Sequence, residues 1–587
     1  THSFHQHVVR WPAEPNDEGG LDAISSTNFT TPAVTNPIDT QAISPGASYD
    51  IIPEGGAGSQ QGSFGDIIFH CHLYPHFGSG MWGLNRVHDV LEDGTRILPS
   101  GEPVLALVPL PDMTPPPAPE EDRPGYPFFI FAEFGLKPPK PPLSVAERDW
   151  DTPHAPTELE LNATQVSPTS PTATPEPGAF FVNPCPPEAP RKRFEFAVIQ
   201  LDAEYNPTLQ WHNPQHRMYV LQEDKEAVLS GAKPPEPFSP LLNVGECVQW
   251  DLTNDLPVNF GGTAFDQAQI TDEVSQHQHM IQFDVLSGDG TINGWNYDQG
   301  ADPGQTIRYQ TYIQADVRTV SFHDHLFALA HQDNGLFGGS TIHPAGCTFH
   351  DPTTGELLGG VYPDGVAIGK AATQVDVQCP GEDDDYRNFA LFVQDHVPMF
   401  QPAGISSADD AGFVTDDGVP IFAPHLPSSP DDYGIIATNY RAEPFEARRD
   451  GDPADRFNSR VWGDPATPLL RAYRGDRISI DMFQLSFEES HVFNLHRWSW
   501  PFEPNDPASP IIQAQHITML EYFSLEFETD LENPNQDGLR VRDYLWDYGG
   551  MDDWFLGAWG IMRVYGCQTA AGGVRLPPGL NPRNPIN

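Results

Sequence analysis

The sequence has no long apolar run. Hydrophobic residues make up 38% of its 587 residues. No uninterrupted apolar stretch approaches the roughly 18 residues of a membrane-spanning helix, so a transmembrane helix is excluded. A chain of this length has room for about four domains of roughly 150 residues, and a large buried core can form without disulfide support.

Basic residues are also scarce. Lys and Arg number 31 against 81 Asp and Glu, which gives a formal net charge of −50. Nucleic acid and anionic membrane surfaces both require a basic face, so we expect neither as a partner. A field of this sign attracts cations instead.

Cysteine is rare, with six residues and no CxxC pair. A zinc ribbon and a thioredoxin motif are therefore excluded. Few cysteines in an acidic chain are compatible with an extracytoplasmic location. Of the five cysteines other than Cys71, at least one has no partner within the chain, and Cys347 with Cys379 is one candidate pair.

Helical periodicity is the last scarce feature. The chain has 62 Pro and 51 Gly, and short β-branched or aromatic runs lie between them, such as DIIFHCHLY (66–74) and RFEFAVIQL (193–201). This pattern predicts an all-β protein built of sandwiches.

Internal repeats divide the chain into three units. HSFHQHVVRWPAEPND (2–17) matches HVFNLHRWSWPFEPND (491–506), FHCHLYPHFGSGMWGLNRV (69–87) matches WDYGGMDDWFLGAWGIMRV (546–564), and a weaker copy spans 274–339. The first unit lacks the opening strands of the other two, so we expect a missing N-terminal fragment or a partner chain to complete it.

These repeats and the Pro-rich stretches predict the domain boundaries. We expect a partial sandwich at 1–110, a Pro-rich connector at 111–190, a whole sandwich at 191–350, a connector at 351–385, a second whole sandwich at 386–570 and a tail at 571–587. The aromatic patch at 124–135 of the first connector is expected to dock on a domain surface.

Metal-ligating residues cluster in the first unit. Alternate residues of a strand face opposite sides, so Cys71 points away from His70 and His72. Cys71 combines with three further side chains into a His2Cys set with a weak thioether, which is the ligand set of a blue-copper electron-transfer site: His2, His76 and Met81. His70 and His72 remain free for a second metal group, and their covalent link to Cys71 gives an electron path.

The second unit supplies two more pairs of alternating histidines, His277 with His279 and His323 with His325. Together with His5, His7, His70 and His72 they make eight imidazoles, which can hold three copper ions with positions left open for oxygen. Val274 stands in the place of His2 and Asp324 in that of Cys71, so this unit has no blue-copper site.

Two polar residues of the second unit allow more than one interpretation. Asp324 either hydrogen-bonds a ligand histidine or relays protons, or it is only a polar replacement for the lost cysteine. His331 has no clear partner in the sequence, and we interpret it as structural.

The third unit has lost this ligand set. Asn494 replaces the equivalent of His5, Asp547, Tyr548 and Gly549 replace the HCH motif, and Asp553 and Ala558 replace His76 and Met81, while His491 and His496 remain. We expect this unit to bind no copper and to be structural.

HxxHxH with HCHxxxHxxxGM and two further HxH motifs resembles the multicopper oxidases over nearly all of 1–566. The resemblance implies repeated cupredoxin domains, which are Greek-key β-sandwiches, and about four copper ions. It implies type 1 ligands His2, Cys71, His76 and Met81, type 2 ligands His5 and His277, and type 3 ligands His7, His70, His72, His279, His323 and His325. Electrons would pass from a reductant to type 1 copper, then through Cys71 and His70 or His72 to a trinuclear cluster between the first two units, where O2 is reduced to water.

The order of the motifs is similar to that of ceruloplasmin-like proteins, because the HCH unit precedes the HxH unit. Phrases such as QAISPGASYDI and RVHDVLEDGT look most like the large bacterial multicopper oxidases of the manganese-oxidising type. This resemblance implies Mn²⁺ as the reductant. Fe²⁺ or Cu⁺ and then phenols are the alternatives, and a structural copper-binding subunit of an envelope assembly is the opposing, non-enzymatic hypothesis.

Acidic residues near the type 1 motif are candidates for the metal-ion substrate site. Glu14 and Asp17 recur in the copper-free unit as Glu503 and Asp506, so we interpret them as turn residues. The copper unit alone carries a set of carboxylates and imidazole that suits Mn²⁺ or Fe²⁺, although a solvated acidic turn is the competing interpretation: His88, Asp89, Glu92 and Asp93. Oligomerisation with further copies of the chain is possible.

Overall fold

The computed structural model describes most of the three units and little of the first connector. The described residues are 2–13, 37–98, 100–120, 125–127, 134–135, 138, 140–141, 184–257, 271–381, 385–397, 399–400, 413–414, 420–422, 425–426, 429–433, 435–485, 489–504, 506–529 and 541–566. The predicted all-β class is confirmed. Among these residues no helix is long and apolar enough to cross a membrane.

The first unit is one four-stranded sheet in the order β4–β1–β5–β6, with a small β2–β3 ladder beside it. Its elements are β1 (His2–Gln6), β2 (Trp11–Pro12), β3 (Pro37–Ile38), β4 (Thr40–Ile43), β5 (Gly65–Cys71), α1 (Tyr74–Gly78) and β6 (Trp82–Val87). Antiparallel pairing of β1 with β5 places His5 opposite His70 and Phe4 opposite Cys71. The two histidine motifs therefore meet on one face of the sheet.

The second unit has two sheets that face each other across a core containing Phe194, Trp250 and Phe322. Its elements are β7 (Arg191–Asn206), β8 (Trp211–Leu221), α2 (Lys225–Leu229), β9 (Leu241–Asn243), β10 (Cys247–Asn254), β11 (His277–Gln278), β12 (Gln282–Phe283), β13 (Thr306–Tyr312), β14 (Thr319–His323), α3 (Ala328–Asp333) and β15 (Phe337–His343). The sheet β11–β14–β15–β9 carries the histidines, because β11 and β14 pair with His277 opposite His323.

Strand β16 (Thr348–His350) lies at the end of the predicted second sandwich, and the segment predicted as the second connector contains β17 (Leu357–Leu358), β18 (Ala367–Ile368) and β19 (Gln374–Gln378). β18 pairs with β7 and β19 pairs with β20 of the third unit, so the segment extends the sheets of both neighbours. The candidate disulfide Cys347–Cys379 is formed here, and a second one joins Cys185 to Cys247. Cys71 is a free, buried thiol, and Cys567 lies outside the described residues.

The third unit pairs the sheet containing β19, β20, β28 and β33 with the five-stranded sheet β27–β35–β34–β29–β32. Its strands are β20 (Tyr386–Val397), β21 (Met399–Phe400), β22 (Phe413–Val414), β23 (Pro420–Phe422), β24 (His425–Leu426), β25 (Ser429–Tyr433), β26 (Ile435–Thr438), β27 (Leu470–Tyr473), β28 (Arg477–Gln484), β29 (His491–Leu495), β30 (Trp500–Pro501), β31 (Ile511–Ile512), β32 (Ala514–Ile517), β33 (Tyr522–Glu528), β34 (Val541–Asp547) and β35 (Trp559–Tyr565). Its helices are α4 (Ser459–Trp462) and α5 (Met551–Leu556), with 3-10 turns at Phe445–Arg448 and Pro453–Asp455.

Apolar contacts join the units. Ile67 of the first unit lies in one cluster with Val285 and Leu286 of the second. In the first connector, Tyr126 is fully buried and its hydroxyl donates to Asp66 at 2.8 Å, which agrees with the expected docking of the aromatic patch. Most of 111–183 and all of 571–587 lie outside the described residues. The contacts between the first two units fix the distance between their histidines.

Candidate metal centre

The predicted type 1 residues converge at the end of β5. The sulfur of Cys71 lies 3.7 Å from Nδ1 of His2 and 3.5 Å from Nδ1 of His76, and the two Nδ1 atoms are 3.1 Å apart. Metal bonds are about 2.0 Å long to nitrogen and about 2.3 Å long to sulfur. With a sulfur–metal–nitrogen angle of about 110–120°, the sulfur and the nitrogen lie about 3.5–3.7 Å apart. The observed distances therefore match three ligands around one ion.

Met81 is held near this group through its backbone. Its carbonyl accepts a hydrogen bond from the Cys71 amide at 3.0 Å, and its own amide donates to the His76 carbonyl at 3.0 Å. The Met81 side chain is 45% exposed. The group therefore lies beside the protein surface on the α1 side.

The eight other predicted ligands meet between the first two units. Strand pairing brings His5 to His70 and His277 to His323, and all eight side chains are buried. Three clusters result: His5 with His277, His7 with His70 and His325, and His72 with His279 and His323. Each cluster takes histidines from both units, and one chain supplies all of them.

The ring nitrogens of these clusters point at one another. The Nε2–Nε2 distances are 3.5 Å for His5–His277, 3.3 Å for His7–His70, 3.2 Å for His70–His325 and 3.2 Å for His279–His323. Two metal–nitrogen bonds of about 2.0–2.1 Å with a nitrogen–metal–nitrogen angle of about 105–120° place the two nitrogens about 3.2–3.6 Å apart. The spacing therefore fits pairs of imidazoles that share an ion.

Hydrogen bonds at the opposite ring nitrogen hold several of these imidazoles in place. Nδ1 donates to a backbone carbonyl in four of them: His5 to Asp39 at 2.8 Å, His277 to Asp289 at 2.7 Å, His323 to Asp324 at 2.8 Å and His70 to Cys71 at 3.1 Å. A donating Nδ1 leaves the Nε2 lone pair free for a metal. The last of these bonds also links His70 to the main chain of Cys71.

Two buried carboxylates complete this outer layer. Asp289 accepts from Nδ1 of His7 at 3.0 Å and lies 3.1 Å from Nδ1 of His277. Asp39 accepts from Nδ1 of His279 at 3.0 Å. Sequence reasoning missed both aspartates, because neither lies in a recognisable motif and Asp39 is 240 positions from His279.

Burial keeps most of these histidines neutral at pH 7. It lowers the pKa of His70 to about 4. Burial is also the largest cause that lowers the pKa well below the ordinary value for six others: His5, His7, His72, His279, His323 and His325. A neutral imidazole is the form that binds a metal.

His72 provides an independent test of whether the site fits a metal. Both of its ring nitrogens are buried without a hydrogen-bond partner among the described residues. A buried, unpaired polar group costs about 1–3 kcal/mol. Because His279 and His323 lie beside this ring, a shared metal ion would satisfy the imidazole, and the residues therefore fit the predicted copper.

Asp324 and His331 form an internal pair in the second unit. Nδ1 of His331 lies 3.0 Å from Asp324, whose carboxylate also accepts from the backbone amides of Ser275 and Phe327. Nε2 of His331 lies 2.9 Å from the carbonyl of Thr271. These contacts support a structural role for His331. The carboxylate of Asp324 contacts His331, whereas the backbone carbonyl of Asp324 accepts from His323.

The third unit places carboxylates where the type 1 ligands would be. Nδ1 of His491 lies 3.1 Å from Asp553, and Nε2 lies 3.4 Å from Asp395. Burial alone would lower the pKa of His491, but the hydrogen bonds to both carboxylates outweigh it and raise this pKa to about 10. The retained histidine is therefore an imidazolium between two carboxylates, and both of its ring nitrogens are engaged.

The candidate substrate residues contact their own segment and Tyr126 of the first connector. Glu92 is buried, with His88 at 3.0 Å and Arg96 at 3.2 Å, and Asp89 accepts from the Tyr126 amide at 2.8 Å. Exposed Asp93 accepts from Thr95 in a turn. These contacts describe a folded loop, and a role in substrate binding stays a prediction.

The turn interpretation of the repeated acidic motif rests on the third unit alone. Asp506 accepts from the amide of Ala508 at 2.8 Å, and its own amide donates to Glu503. The corresponding Glu14 and Asp17 lie outside the described residues.

A scan against protein-family models finds no matching family, and a search of curated proteins finds no matching relative. Among solved structures, the chain is similar to a multicopper oxidase at 13% identity and a TM-score of 0.37, over 65% of this chain and 91% of that one. It is also similar to a copper nitrite reductase from Nitrosomonas europaea at 12% identity and a TM-score of 0.36, over 63% and 92% of the two chains. A blue copper oxidase from the same organism gives 12% identity and a TM-score of 0.36, over 64% and 86%. Similarity at this level leaves the activity to be argued from the site.

Proposed function

We propose that the chain is a copper-dependent oxidase that couples one-electron oxidation of a reductant to the reduction of O2 to water. The observation that carries the proposal is that three consecutive residues belong to different groups of ligands. Cys71 belongs to a His2Cys group, while His70 and His72 on either side of it belong to two different imidazole clusters. Copper bound at these groups would supply one-electron redox chemistry and storage of the four electrons that O2 requires.

In this proposal electrons enter at the His2Cys group and are collected at the histidine clusters. The His2Cys group lies beside the surface, where a reductant can approach the half-buried ring of His76. The peptide bonds of Cys71 lead to both neighbouring histidines, and the hydrogen bond from His70 to the Cys71 carbonyl offers a second route. The proposed ions number four: one at the His2Cys group with Met81, one at His5 and His277, and two at the clusters of three histidines.

The outer carboxylates have a separate task. Asp39 and Asp289 accept from Nδ1–H groups and so fix the direction of the Nε2 lone pairs. Burial lowers the pKa of seven of the eight histidines, so these seven bind cations without first losing protons. All eight are buried, which keeps bulk water away from the reduction of O2.

We propose Mn²⁺ as the reductant, with Fe²⁺ or Cu⁺ next and phenols after them. The net charge of −50 and the resemblance to manganese-oxidising proteins support a metal ion. The experiment is O2 consumption by the copper-loaded protein with each reductant in turn. Fastest turnover with Mn²⁺ is the expected result, and turnover with phenols alone would contradict this assignment.

The opposing proposal is a structural copper-binding subunit, and replacement of Cys71 separates the two. Cys71→Ser removes the thiolate, so we expect loss of the blue absorption and of turnover while the clusters of histidines keep their copper. His212→Gln alters an unrelated histidine on β8 and serves as the control. Full turnover by Cys71→Ser would contradict the proposed electron path.

We further propose that a partner chain covers strand β6. Within the described residues β6 is an edge strand, and Trp82 is 53% exposed. The matching Trp559 is fully buried: its indole donates to the Glu443 carbonyl at 2.7 Å, and β27 pairs with β35 in parallel. A second copy of this chain is the alternative occupant.

Light scattering with Trp82→Ser tests this surface. A monomer with rapidly exchanging β6 amides is expected in the absence of the partner. A wild-type oligomer that the substitution dissociates would assign the surface to a second copy. Slow exchange of β6 in a monomer would contradict both occupants.

An extracytoplasmic location is also proposed. Two disulfides, Cys185–Cys247 and Cys347–Cys379, support it, because such bonds persist in oxidising compartments.

A further inference from the structure

The copper-free third unit reaches both candidate metal groups through one short turn. This bridging turn, residues 518–522, connects β32 to β33. Met519 lies in one apolar cluster with Cys71 and Leu73, while Tyr522 lies beside the histidine clusters. Sequence reasoning gave this unit a structural role only.

At its first end the bridging turn covers the His2Cys group. Met519 is only 3% exposed, and its backbone carbonyl accepts from the hydroxyl of Ser3 at 3.2 Å. Ser3 follows His2 directly, and its own carbonyl accepts from the His72 amide at 2.7 Å. Met519 therefore excludes water from the buried side of Cys71, whereas Met81 stands at the exposed side.

At its second end the bridging turn touches the outer layer of the cluster. The Tyr522 hydroxyl donates to one oxygen of Asp39 at 2.7 Å, and the other oxygen of Asp39 accepts from His279 at 3.0 Å. The rings of Tyr522 and His279 are 6.3 Å apart in an edge arrangement. Tyr522 thus fixes the carboxylate that orients a cluster histidine.

The bridging turn is held firmly by its own unit. The amide of Thr518 donates to the Glu521 carboxylate at 2.9 Å, and the amide of Leu520 donates to the Gln484 carbonyl at 2.8 Å. Leu520 is buried in the core between units and has a φ of +54°, a conformation that leucine adopts only when its surroundings enforce it. The turn can therefore impose its position on the groups it touches.

We propose that the bridging turn lets the third unit tune both copper sites, with Met519 and Tyr522 as positioning residues. The proposal rests on the proposed function above. Met519 keeps the surroundings of the Cys71 sulfur apolar, which raises the reduction potential because water would stabilise the more highly charged oxidised form. Tyr522 maintains the Asp39–His279 contact and so the copper affinity of the cluster.

Two variants test the two ends separately. Met519→Ala is expected to lower the reduction potential of the blue site, read from its absorption during a redox titration, and to leave cluster copper unchanged. Met519→Leu restores an apolar cover and should restore most of the potential. Tyr522→Phe keeps the ring but removes the donor, so we expect about 5–10-fold weaker retention of cluster copper against a chelator with an unaltered blue site.

His516→Gln is the matched control, because His516 is exposed on β32 three residues before Met519. It should alter neither the potential nor copper retention. If Met519→Ala and Tyr522→Phe lowered only thermal stability, the third unit would be structural and the inference would be overturned. Failure of the wild-type protein to bind copper would instead overturn the proposed function.

Discussion

Neutralising Asp289 is expected to weaken copper binding at the proposed trinuclear cluster selectively. Its carboxylate accepts from His7 at 3.0 Å, from the Thr291 hydroxyl at 3.0 Å and from the Asn293 amide at 3.3 Å. In Asp289→Asn the new amide group has to face at least one of these donors. Nδ1 of His7 lies 3.0 Å from both carboxylate oxygens, so its N–H loses one of two acceptors and faces the new NH2 group, or the ring turns.

The size of the effect follows from the same contacts. Loss of an outer partner of a metal-binding histidine costs about 10–100-fold in metal affinity. His277 keeps its hydrogen bond to the Asp289 carbonyl at 2.7 Å, so the main loss falls on His7. We therefore expect the lower end, about 10-fold, which corresponds to about 1.4 kcal/mol.

The assay is copper retained per chain against increasing chelator, with the blue absorption as an internal reference. Asp289→Asn should lose cluster copper at about 10-fold lower chelator while the blue site titrates as in the wild type. Asp481→Asn is the control, because Asp481 is a buried aspartate bonded to Thr341 and Ser524 instead of histidines. Wild-type retention in Asp289→Asn, or equal loss in both variants, would refute the reasoning.

Two further predictions concern stability. His491 has its pKa raised to about 10, so its contribution to folding is complete below about pH 6.5 and is lost as the pH rises towards 10. Asp553→Asn should remove about 3–5 kcal/mol and flatten this dependence, measured as denaturant unfolding from pH 6 to 10; an unchanged pH profile would contradict it. The disulfide Cys347–Cys379 spans 32 positions and constrains the unfolded chain. The double serine variant should therefore lose about 3–4 kcal/mol of the free energy of unfolding in the same assay. An unchanged denaturation midpoint would contradict this stabilisation.

The grouping of the candidate ligands could be predicted because they lie at fixed short spacings. Strand alternation alone separates Cys71 from His70 and His72, and the structure does place them in different groups. Repetition of the same motifs also allowed the eight histidines to be assigned to two units. Contacts between the two units, such as those of Ile67 with Val285 and Leu286, bring the two sets of histidines together.

The outer layer could not be predicted, since it depends on contacts between distant segments. Asp39 joins His279 and Tyr522, which are 240 and 483 positions away, and no local pattern marks any of them. The role proposed here for the third unit could not be predicted for the same reason: loss of its own ligands says nothing about Met519 packing on Cys71. Strands β17–β19 lie in a stretch whose Pro and Gly content is that of a connector, so the sequence does not mark them.

The most direct test of the central claim is the number of copper ions bound per purified, copper-loaded chain, measured together with the blue absorption. The geometry of one His2Cys group, one pair and two sets of three histidines predicts about four ions and a blue protein. About one ion with blue colour would show that the eight buried histidines do not form a copper cluster. No bound copper would contradict the account as a whole.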